Sequence, residues 1–235
     1  GWYAGYLGYA LLVRNPVVKN FYGDVPALKA QLEIEYTNGQ KETVATDNTW
    51  KANYGPIVES DILNGEVYDA NKELTGWNQP NYNDATWKKV ITVAEKTDRP
   101  LQVYPGDPVR EVARLTPKNA KQMGPNAYLV DMGQNFAGTI KIRFKAAKGD
   151  SILFRFGEML YPDGKLMTEN LRKARGTDLY IAKGDPNGEF YEPRFTYHGF
   201  QYVQIEGLKY AIGMQDILGI VLSSATPKAG TFETD

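Results

Sequence analysis

The sequence predicts an all-β protein built from two consecutive antiparallel β-sandwich domains of the jelly-roll or concanavalin-like kind. Short runs that alternate apolar with polar residues recur along the chain. Turn signals separate them about every 8–12 residues, a spacing typical of sandwiches. The chain has no convincing amphipathic helical period, βαβ alternation, P-loop or dinucleotide fingerprint. With 235 residues, 42% of them hydrophobic, it can form one large or two modest domains.

The composition excludes several classes of partner and chemistry. Lys and Arg number 27 against 28 Asp and Glu, a net charge of -1, so we expect neither nucleic acid nor a membrane as a partner. The absence of cysteine excludes disulfides, Cys-ligated metals and a thiol nucleophile. The 16 tyrosines and four tryptophans suit sandwich cores and sugar-stacking platforms equally.

The first predicted elements are strands. Residues 1–13 are rich in aromatic side chains and predict a strand that Asn15-Pro16 ends. Residues 27–36 place an apolar side chain at every second position, Asn38-Gly39 is a strong hairpin signal, and residues 41–46 form the return strand. This part of the chain therefore predicts a hairpin with one apolar face.

A turn-rich segment at residues 94–108 follows a predicted strand at 90–93, and we place the boundary of the first domain there, at residues 1–104. Because the chain begins directly in strand-like material, we expect upstream strands to be missing. We therefore expect the first domain to be less stable than the second.

The second domain, residues 105–223, predicts a longer series of strands. They fall at residues 109–115, 127–131, 138–146, 151–156, 177–182, 200–206 and 215–222. Residues 116–126 predict a loop, and residues 167–175 are compatible with a helix by composition.

The only histidine, His198, lies in the aromatic stretch at residues 191–207. From Phe200 onward this stretch alternates as a half-buried strand does, with Pro193 before it and Gly207 at its exit. One histidine argues against a His-rich zinc site. It leaves two interpretations, a functional group or a hydrogen-bonded core imidazole.

Three carboxylates, Asp61, Glu66 and Asp69, lie close together in sequence near a turn. They fit a sugar or calcium site made of oxygen ligands. They fit equally a solvated turn held by an Asx hydrogen bond, and their spacing is not that of an EF-hand. Trp77 follows in a loop-rich segment, where an indole can stack on a sugar or cap the end of a sandwich.

Four motifs of the second domain resemble one family in order and spacing. They are Asp131-Met-Gly-Gln-Asn-Phe-Ala-Gly138, Gly157-Glu-Met-Leu160, Thr168-Glu-Asn-Leu-Arg172 and Tyr191-Glu-Pro-Arg-Phe-Thr-Tyr-His-Gly-Phe-Gln-Tyr202. Together they resemble the concanavalin-like domain of bacterial α-L-rhamnosidases. Upstream, the 27–46 hairpin and Asp61-Ile-Leu-Asn-Gly-Glu-Val-Tyr-Asp-Ala70 are similar to the latter part of that family's N-terminal sandwich domain. Met132 and Asn71 depart from the pattern, which favours an aromatic residue and an arginine there.

The resemblance implies that the parent protein is an inverting glycoside hydrolase that releases terminal α-L-rhamnose. In that family, acidic residues of a helical α/α-barrel domain protonate the glycosidic oxygen and activate water. Residues 224–235 resemble the linker to that barrel, so we expect no catalytic residue in this chain. For the parent we expect a periplasmic or extracellular location, with the cytoplasm as the alternative.

Three roles remain open for the chain itself. It can brace the downstream catalytic domain, bind rhamnose-containing glycans as a stand-alone lectin-like module, or serve another polysaccharide-degrading enzyme as accessory domains. No cofactor is required, although some family members use calcium in the first domain. The candidate carbohydrate-binding residues are Asp61, Asn64, Glu66 and Trp77. The candidate interdomain or structural polar set is Glu158, Glu169, Asn170, Arg172, Arg194 and His198.

Overall fold

The computed structural model describes residues 27–93, 100–172, 174–224 and 226–234. Within them the fold is all-β, with three one-turn 3-10 helices and no α-helix. Sixteen strands follow in chain order: β1 Gln31–Glu35, β2 Lys41–Ala45, β3 Lys51–Ala52, β4 Ile57–Asp61, β5 Gly65–Asp69, β6 Lys88–Lys89, β7 Val109–Leu115, β8 Asn119–Gly124, β9 Ala127–Phe144, β10 Ser151–Gly157, β11 Met159–Leu160, β12 Leu166–Met167, β13 Thr177–Ile181, β14 Glu189–Tyr191, β15 His198–Glu206 and β16 Ile217–Ser224. The predicted fold class is confirmed.

The chain divides into two compact units. The first unit comprises Gly1–Gly55 and Leu74–Pro105, and the second comprises Pro56–Glu73 and Gly106–Asp235. This division differs from the sequence-based boundary at residue 104, because a segment of the first half belongs to the second unit. In the described part of the chain, no helix is long and apolar enough to cross a bilayer.

In the first unit, the predicted hairpin is present as β1 and β2, paired antiparallel with Leu32 opposite Val44. Its turn places Gly39 at φ +81°, the left-handed region that the Asn-Gly signal predicts. The second pair joins β3 to β6 at Lys88–Lys89, so the strand predicted at residues 90–93 is wrong. The strand predicted at residues 1–13 lies outside the described residues.

The second unit is one ten-stranded sheet with the order β4-β5-β13-β10-β15-β9-β16-β7, and β14 and β8 also pair with β9. The 18-residue β9 is the organising strand, because β8, β14, β15 and β16 all bond to it. Sequence reasoning predicted two strands where β9 runs without a break. It missed β8, whose residues Asn-Ala-Lys-Gln-Met-Gly have little apolar alternation.

All but one of the ladders in these described strands are antiparallel. The exception joins β13 to β5, with Leu179 opposite Val67 and Ile181 opposite Asp69. This parallel ladder is the reason why residues 56–73 belong to the second unit. Parallel pairing leaves no turn signal, so the sequence gives no sign of it.

The core of the second unit lies under strands β9, β10, β13 and β15. Aromatic rings fill it, with Phe156 and Phe200 in edge contact at 4.9 Å and Tyr68 stacked on Tyr180 at 5.4 Å. Burying each such ring contributes roughly 1.5–3 kcal/mol. The side chains less than 2% exposed include Phe154, Phe156, Phe200, Tyr180, Ile140, Ile142, Ile152 and Ile205.

Two short elements follow β10. Residues 167–175 do not form the helix that their composition allows; Leu166–Met167 pair with β11 and only Glu169–Leu171 make a single 3-10 turn. Arg172 ends that turn with φ +57°. Gly176 follows with φ +53°, a conformation that stops a helix at this point.

Candidate functional site

Strands β5, β13 and β15 bring three ionisable side chains together inside the second unit. Glu66 is 1% exposed, Asp178 0% and His198 6%. Asp178 Oδ1 accepts a hydrogen bond from the Glu66 backbone N–H at 2.9 Å and lies 3.1 Å from His198 Nε2. We call Glu66, Asp178, His198 and Tyr191 the buried polar network.

Both carboxylate oxygens of Glu66 accept a hydrogen bond. Its Oε1 accepts from the Tyr191 hydroxyl at 3.2 Å and its Oε2 from the Arg194 backbone N–H at 3.2 Å. Burial raises the pKa of Glu66, the Arg194 N–H opposes the shift, and the charge of Asp178 raises it further. The prediction of Glu66 as a sugar ligand is therefore wrong in this fold, because a side chain 1% exposed offers no surface to a sugar.

His198 is a buried imidazole, 6% exposed, in contact with the carboxylate of Asp178, as the second of the two interpretations expects. Its ring stacks on Phe156 with centroids 4.0 Å apart and planes 14° apart. Its Nε2 faces Asp178, whose second carboxylate oxygen, Oδ2, has no hydrogen-bond partner among the described residues. These contacts tie β15 to β10 and β13, a structural role.

Asp61 and Asn64 form the turn between β4 and β5. Asp61 Oδ1 accepts from the backbone N–H groups of Leu63 and Asn64, both at 2.8 Å, which is the Asx-type turn that the sequence left as one alternative. Asn64 accepts from the backbone N–H of Arg175 through its side chain and from Thr177 N–H through its carbonyl. The turn therefore anchors residues 61–66 to the start of β13.

Trp77 belongs to the first unit, whereas the turn residues with which the sequence grouped it belong to the second. Its side chain is 59% exposed. The neighbouring Trp87 makes an edge contact with Tyr82 at 5.8 Å. Of the four predicted sugar-binding residues, Trp77 is therefore the one with an exposed side chain.

The remaining polar set lies mostly on the surface of the second unit. Glu158 accepts from Asn135 Nδ2 at 3.0 Å and from Asn170 Nδ2 at 2.9 Å, which fixes an exposed carboxylate between two amides. Glu169 accepts from the hydroxyl of Tyr161 and raises the pKa of that phenol. Arg172 and Arg194 are exposed.

Sequence reasoning missed three of these partners, Asn135, Asp178 and Tyr191. Asn135 and Tyr191 stand inside the motifs that carry the family resemblance, which was the available signal. The contacts of all three join residues 20 to 125 positions apart, and no local pattern encodes such pairs. Among the described residues, no group of three or more His, Cys, Asp or Glu is arranged to hold a metal ion.

Comparison with known proteins assigns the family. The profile of the bacterial alpha-L-rhamnosidase concanavalin-like domain matches residues 121–223, and that of the alpha-L-rhamnosidase N-terminal domain matches residues 1–113. The chain belongs to the bacterial α-L-rhamnosidase family. The N-terminal profile runs through residues 56–73, whose strands pair within the second unit.

Several rhamnosidases are similar over nearly the whole chain. An alpha-L-rhamnosidase of Streptomyces avermitilis is 37% identical over 235 residues, which is 100% of this chain and 22% of that protein. One from Formosa agariphila is 34% identical over 88% of this chain and 22% of its own length. The chain thus spans about a fifth of the curated relatives that it matches.

Solved structures agree with this assignment. The Streptomyces avermitilis alpha-L-rhamnosidase complexed with L-rhamnose superposes with a TM-score of 0.85 and 38% identity, over 97% of this chain and 21% of that chain. The rhamnosidase from Aspergillus terreus gives a TM-score of 0.78 and 34% identity, over 95% of this chain and 25% of its own.

Proposed function

We propose that this chain supplies the β-sandwich portion of an α-L-rhamnosidase, a glycoside hydrolase that releases terminal α-L-rhamnose, and that this portion is not itself catalytic. The observation that carries the proposal is that the acidic side chains of the family-like motifs make hydrogen bonds within the second unit. Glu66 and Asp178 are buried and bonded to backbone or to His198, and Glu158 is held by two amides. Glycoside hydrolysis needs a pair of carboxyl groups that flank an accessible bond.

The role that fits this arrangement is architectural. A sheet whose polar groups form hydrogen bonds with one another is rigid. A rigid body is suited to bracing a neighbouring domain. The exposed polar residues of the set, Glu158, Glu169, Asn170, Arg172 and Arg194, are the proposed contacts with the catalytic domain. Glu158 is the best placed of them, because its carboxylate is immobilised before any partner arrives.

A turnover assay tests the non-catalytic part of the proposal. The chain alone, at high concentration, is expected to release no p-nitrophenol from p-nitrophenyl α-L-rhamnopyranoside, with the Streptomyces avermitilis rhamnosidase as the positive control. Turnover that disappears in a Glu158→Gln variant would overturn the proposal.

A chimera tests the architectural part. This chain replaces the matching 235 residues of the Streptomyces avermitilis relative, to which it is 37% identical. The chimera is expected to fold and hydrolyse the same substrate, and deletion of the segment is expected to lower its melting temperature. A deletion variant as stable and active as the whole enzyme would contradict bracing.

Carbohydrate binding by the first unit is a second candidate, because Trp77 is 59% exposed. A large exposed indole is a suitable platform for a sugar ring. Calorimetric titration with L-rhamnose, with calcium and again with a chelator, measures it, with glucose as the control sugar. Trp77→Ala is expected to abolish saturable binding while the melting temperature stays unchanged; unaltered binding would remove Trp77 from the site.

A further inference from the structure

Residues 56–73 belong to the second unit, although the first unit holds the chain on both sides of them. We call this stretch the 56–73 segment; it contains β4, β5 and the 3-10 turn Ala70–Lys72. In the sheet order, β13 lies between β5 and β10, so the segment covers the edge of β13 that faces away from β10. The other described strands of this sheet all begin at Val109 or later. The segment therefore completes a sheet that the C-terminal part of the chain otherwise builds.

Main-chain hydrogen bonds attach the segment along this edge. They begin at the turn between β4 and β5, where the N–H of Gly176 donates to the Leu63 carbonyl at 3.0 Å and the N–H of Thr177 donates to the Asn64 carbonyl at 3.2 Å. The parallel ladder between β5 and β13 continues from there. An extended peptide that binds a sheet edge uses the same bonds, which supply affinity while side chains supply specificity.

Two side chains of β5 make this contact specific. Glu66 is 1% exposed; its carboxylate accepts from the Tyr191 hydroxyl at 3.2 Å, and its N–H donates to Asp178 Oδ1 at 2.9 Å. Tyr68 stacks on Tyr180, with centroids 5.4 Å and planes 6° apart. Without the segment, the buried Tyr191 hydroxyl would lose this acceptor, which costs free energy. The edge of β13 therefore favours a strand that carries a carboxylate and an aromatic ring two positions apart.

Two ion pairs lie at the ends of β13. Glu59 pairs with Arg175 at one end, and Glu73 Oε2 lies 2.6 Å from Lys183 Nζ at the other. In both pairs the 56–73 segment supplies the carboxylate and the C-terminal part of the chain supplies the cation. Exposed ion pairs add little stability. Their complementarity nevertheless fixes the register in which a segment binds.

We propose that the edge of β13 is a docking site for the 56–73 segment, and that it binds this segment even when the segment belongs to a separate polypeptide. In the intact chain, residues 74–105 tether the segment and raise its local concentration. The contacts above are expected to hold it without that tether. The docking site thus joins the parts of the chain that the two family profiles match, beyond their covalent connection.

The experiment cuts the folded, full-length chain after the segment. The recognition sequence of a specific protease is inserted between Val103 and Tyr104, which are 93% and 73% exposed. After cleavage, residues 1–103 and 104–235 are expected to sediment as one complex with equal amounts of both, at about 10 µM protein and with a Kd below about 1 µM. Pieces that sediment separately at this concentration would overturn the docking site.

A truncation tests whether the aromatic contact holds the pieces together. Tyr68→Ala removes the ring that stacks on Tyr180 and is expected to raise the Kd of the cleaved pieces at least about tenfold. Tyr54→Ala is the matched control, because Tyr54 is 92% exposed and lies just before the segment. It is expected to leave the Kd unchanged. Melting of each chain before cleavage shows whether the variant is folded.

A charge exchange tests the same site without opening a cavity. Arg175→Glu places two carboxylates together beside Glu59 and is expected to raise the Kd at least about fivefold. Adding Glu59→Arg restores an attractive pair in the opposite sense and is expected to bring the Kd back to within about twofold of the original. Both side chains are about half exposed, so the exchange is compatible with folding.

The outcomes separate docking of the 56–73 segment from any other association of the two pieces. A complex whose Kd is the same with Tyr68→Ala and with Arg175→Glu would place the interface elsewhere and overturn the proposal. A second charge change that fails to rescue the first would refute the register. None of these measurements uses rhamnosidase activity, so they stand apart from the proposed function, and an inactive chimera has no bearing on them.

Discussion

Glu66 shows whether the motif Asp61-Ile-Leu-Asn-Gly-Glu66 binds a ligand or supports the fold. In sequence it resembles a ligand, since a carboxylate beside a turn suits calcium or sugar. In the fold it is the acceptor for the Tyr191 hydroxyl and the Arg194 N–H, and it lies within the field of Asp178. Such a buried carboxylate holds the structure through hydrogen bonds rather than through its charge.

Truncation and neutralisation of Glu66 are therefore expected to differ. Glu66→Ala leaves a buried hydroxyl and a buried N–H without acceptors and opens a cavity, and we expect a loss of about 3–5 kcal/mol in the free energy of unfolding. Glu66→Gln keeps the shape and one carbonyl acceptor and removes repulsion with Asp178, so we expect a change within about 1 kcal/mol at pH 7. Urea denaturation of both variants measures this, and equal losses would contradict it.

The pH dependence of stability carries a second prediction for the same residue. Burial raises the pKa of Glu66 above its ordinary value of 4.5, so the folded state binds this proton more tightly than the unfolded state. The stability contribution of Glu66 is therefore largest below pH 4.5 and falls as pH rises through the raised pKa. The Glu66→Gln variant lacks this fall.

We expect the difference in unfolding free energy, Glu66→Gln minus wild type, to become more positive between pH 4 and pH 7. Parallel urea denaturation series at several pH values measure it. Glu158→Gln controls for the loss of one negative charge on the surface. A difference that is flat or that declines with pH would refute the prediction.

At the scale of elements, the parallel ladder between β5 and β13 depends on Gly65. This residue has φ +94°, and a Cβ atom there would lie 1.9 Å from the Thr177 carbonyl oxygen. Gly138 of β9 meets a similar limit, with the Ile220 carbonyl oxygen 2.0 Å from such an atom. Backbone of neighbouring strands approaches both glycines too closely for any side chain.

Gly65→Ala is accordingly expected to destabilise the second unit by more than about 3 kcal/mol. The alanine must adopt a strained positive φ, and the Thr177 backbone must also move away from its Cβ atom. Gly164→Ala is the matched control. It also has a positive φ, +82°, but has no atom within 4 Å of the added Cβ, so we expect about 1 kcal/mol. Thermal unfolding of the pair tests this, and equal losses would show that conformation alone matters at Gly65.

At the scale of the whole molecule, the described strands of the two units are buried to different degrees. Leu32 and Val44 of the β1–β2 hairpin are 58% and 40% exposed, whereas Ile140 and Ile152 of the second unit are fully buried. Local stability follows buried apolar contact. The expectation that the first domain is the less stable one therefore has a structural basis.

Hydrogen exchange tests that expectation on the intact chain. Amides of residues 138–156 are expected to exchange at least tenfold more slowly than the bonded amides of residues 31–45. The slow amides report opening of the second unit, and the fast ones report opening of the hairpin. Equal protection of the two regions would refute the difference in stability.

The sequence by itself determined the all-β class, the hairpin at Asn38-Gly39, the strands of the second unit that alternate clearly, and the family. These features depend on local pattern and on ordered motifs, which a linear chain displays directly. Only the tertiary structure decided that residues 56–73 pair with β13, that β9 is one strand, and that Glu66 lies in the core with Asp178 and His198. Each of these depends on contacts between residues distant in sequence, and their free energy comes from burial and pairing that no local window contains.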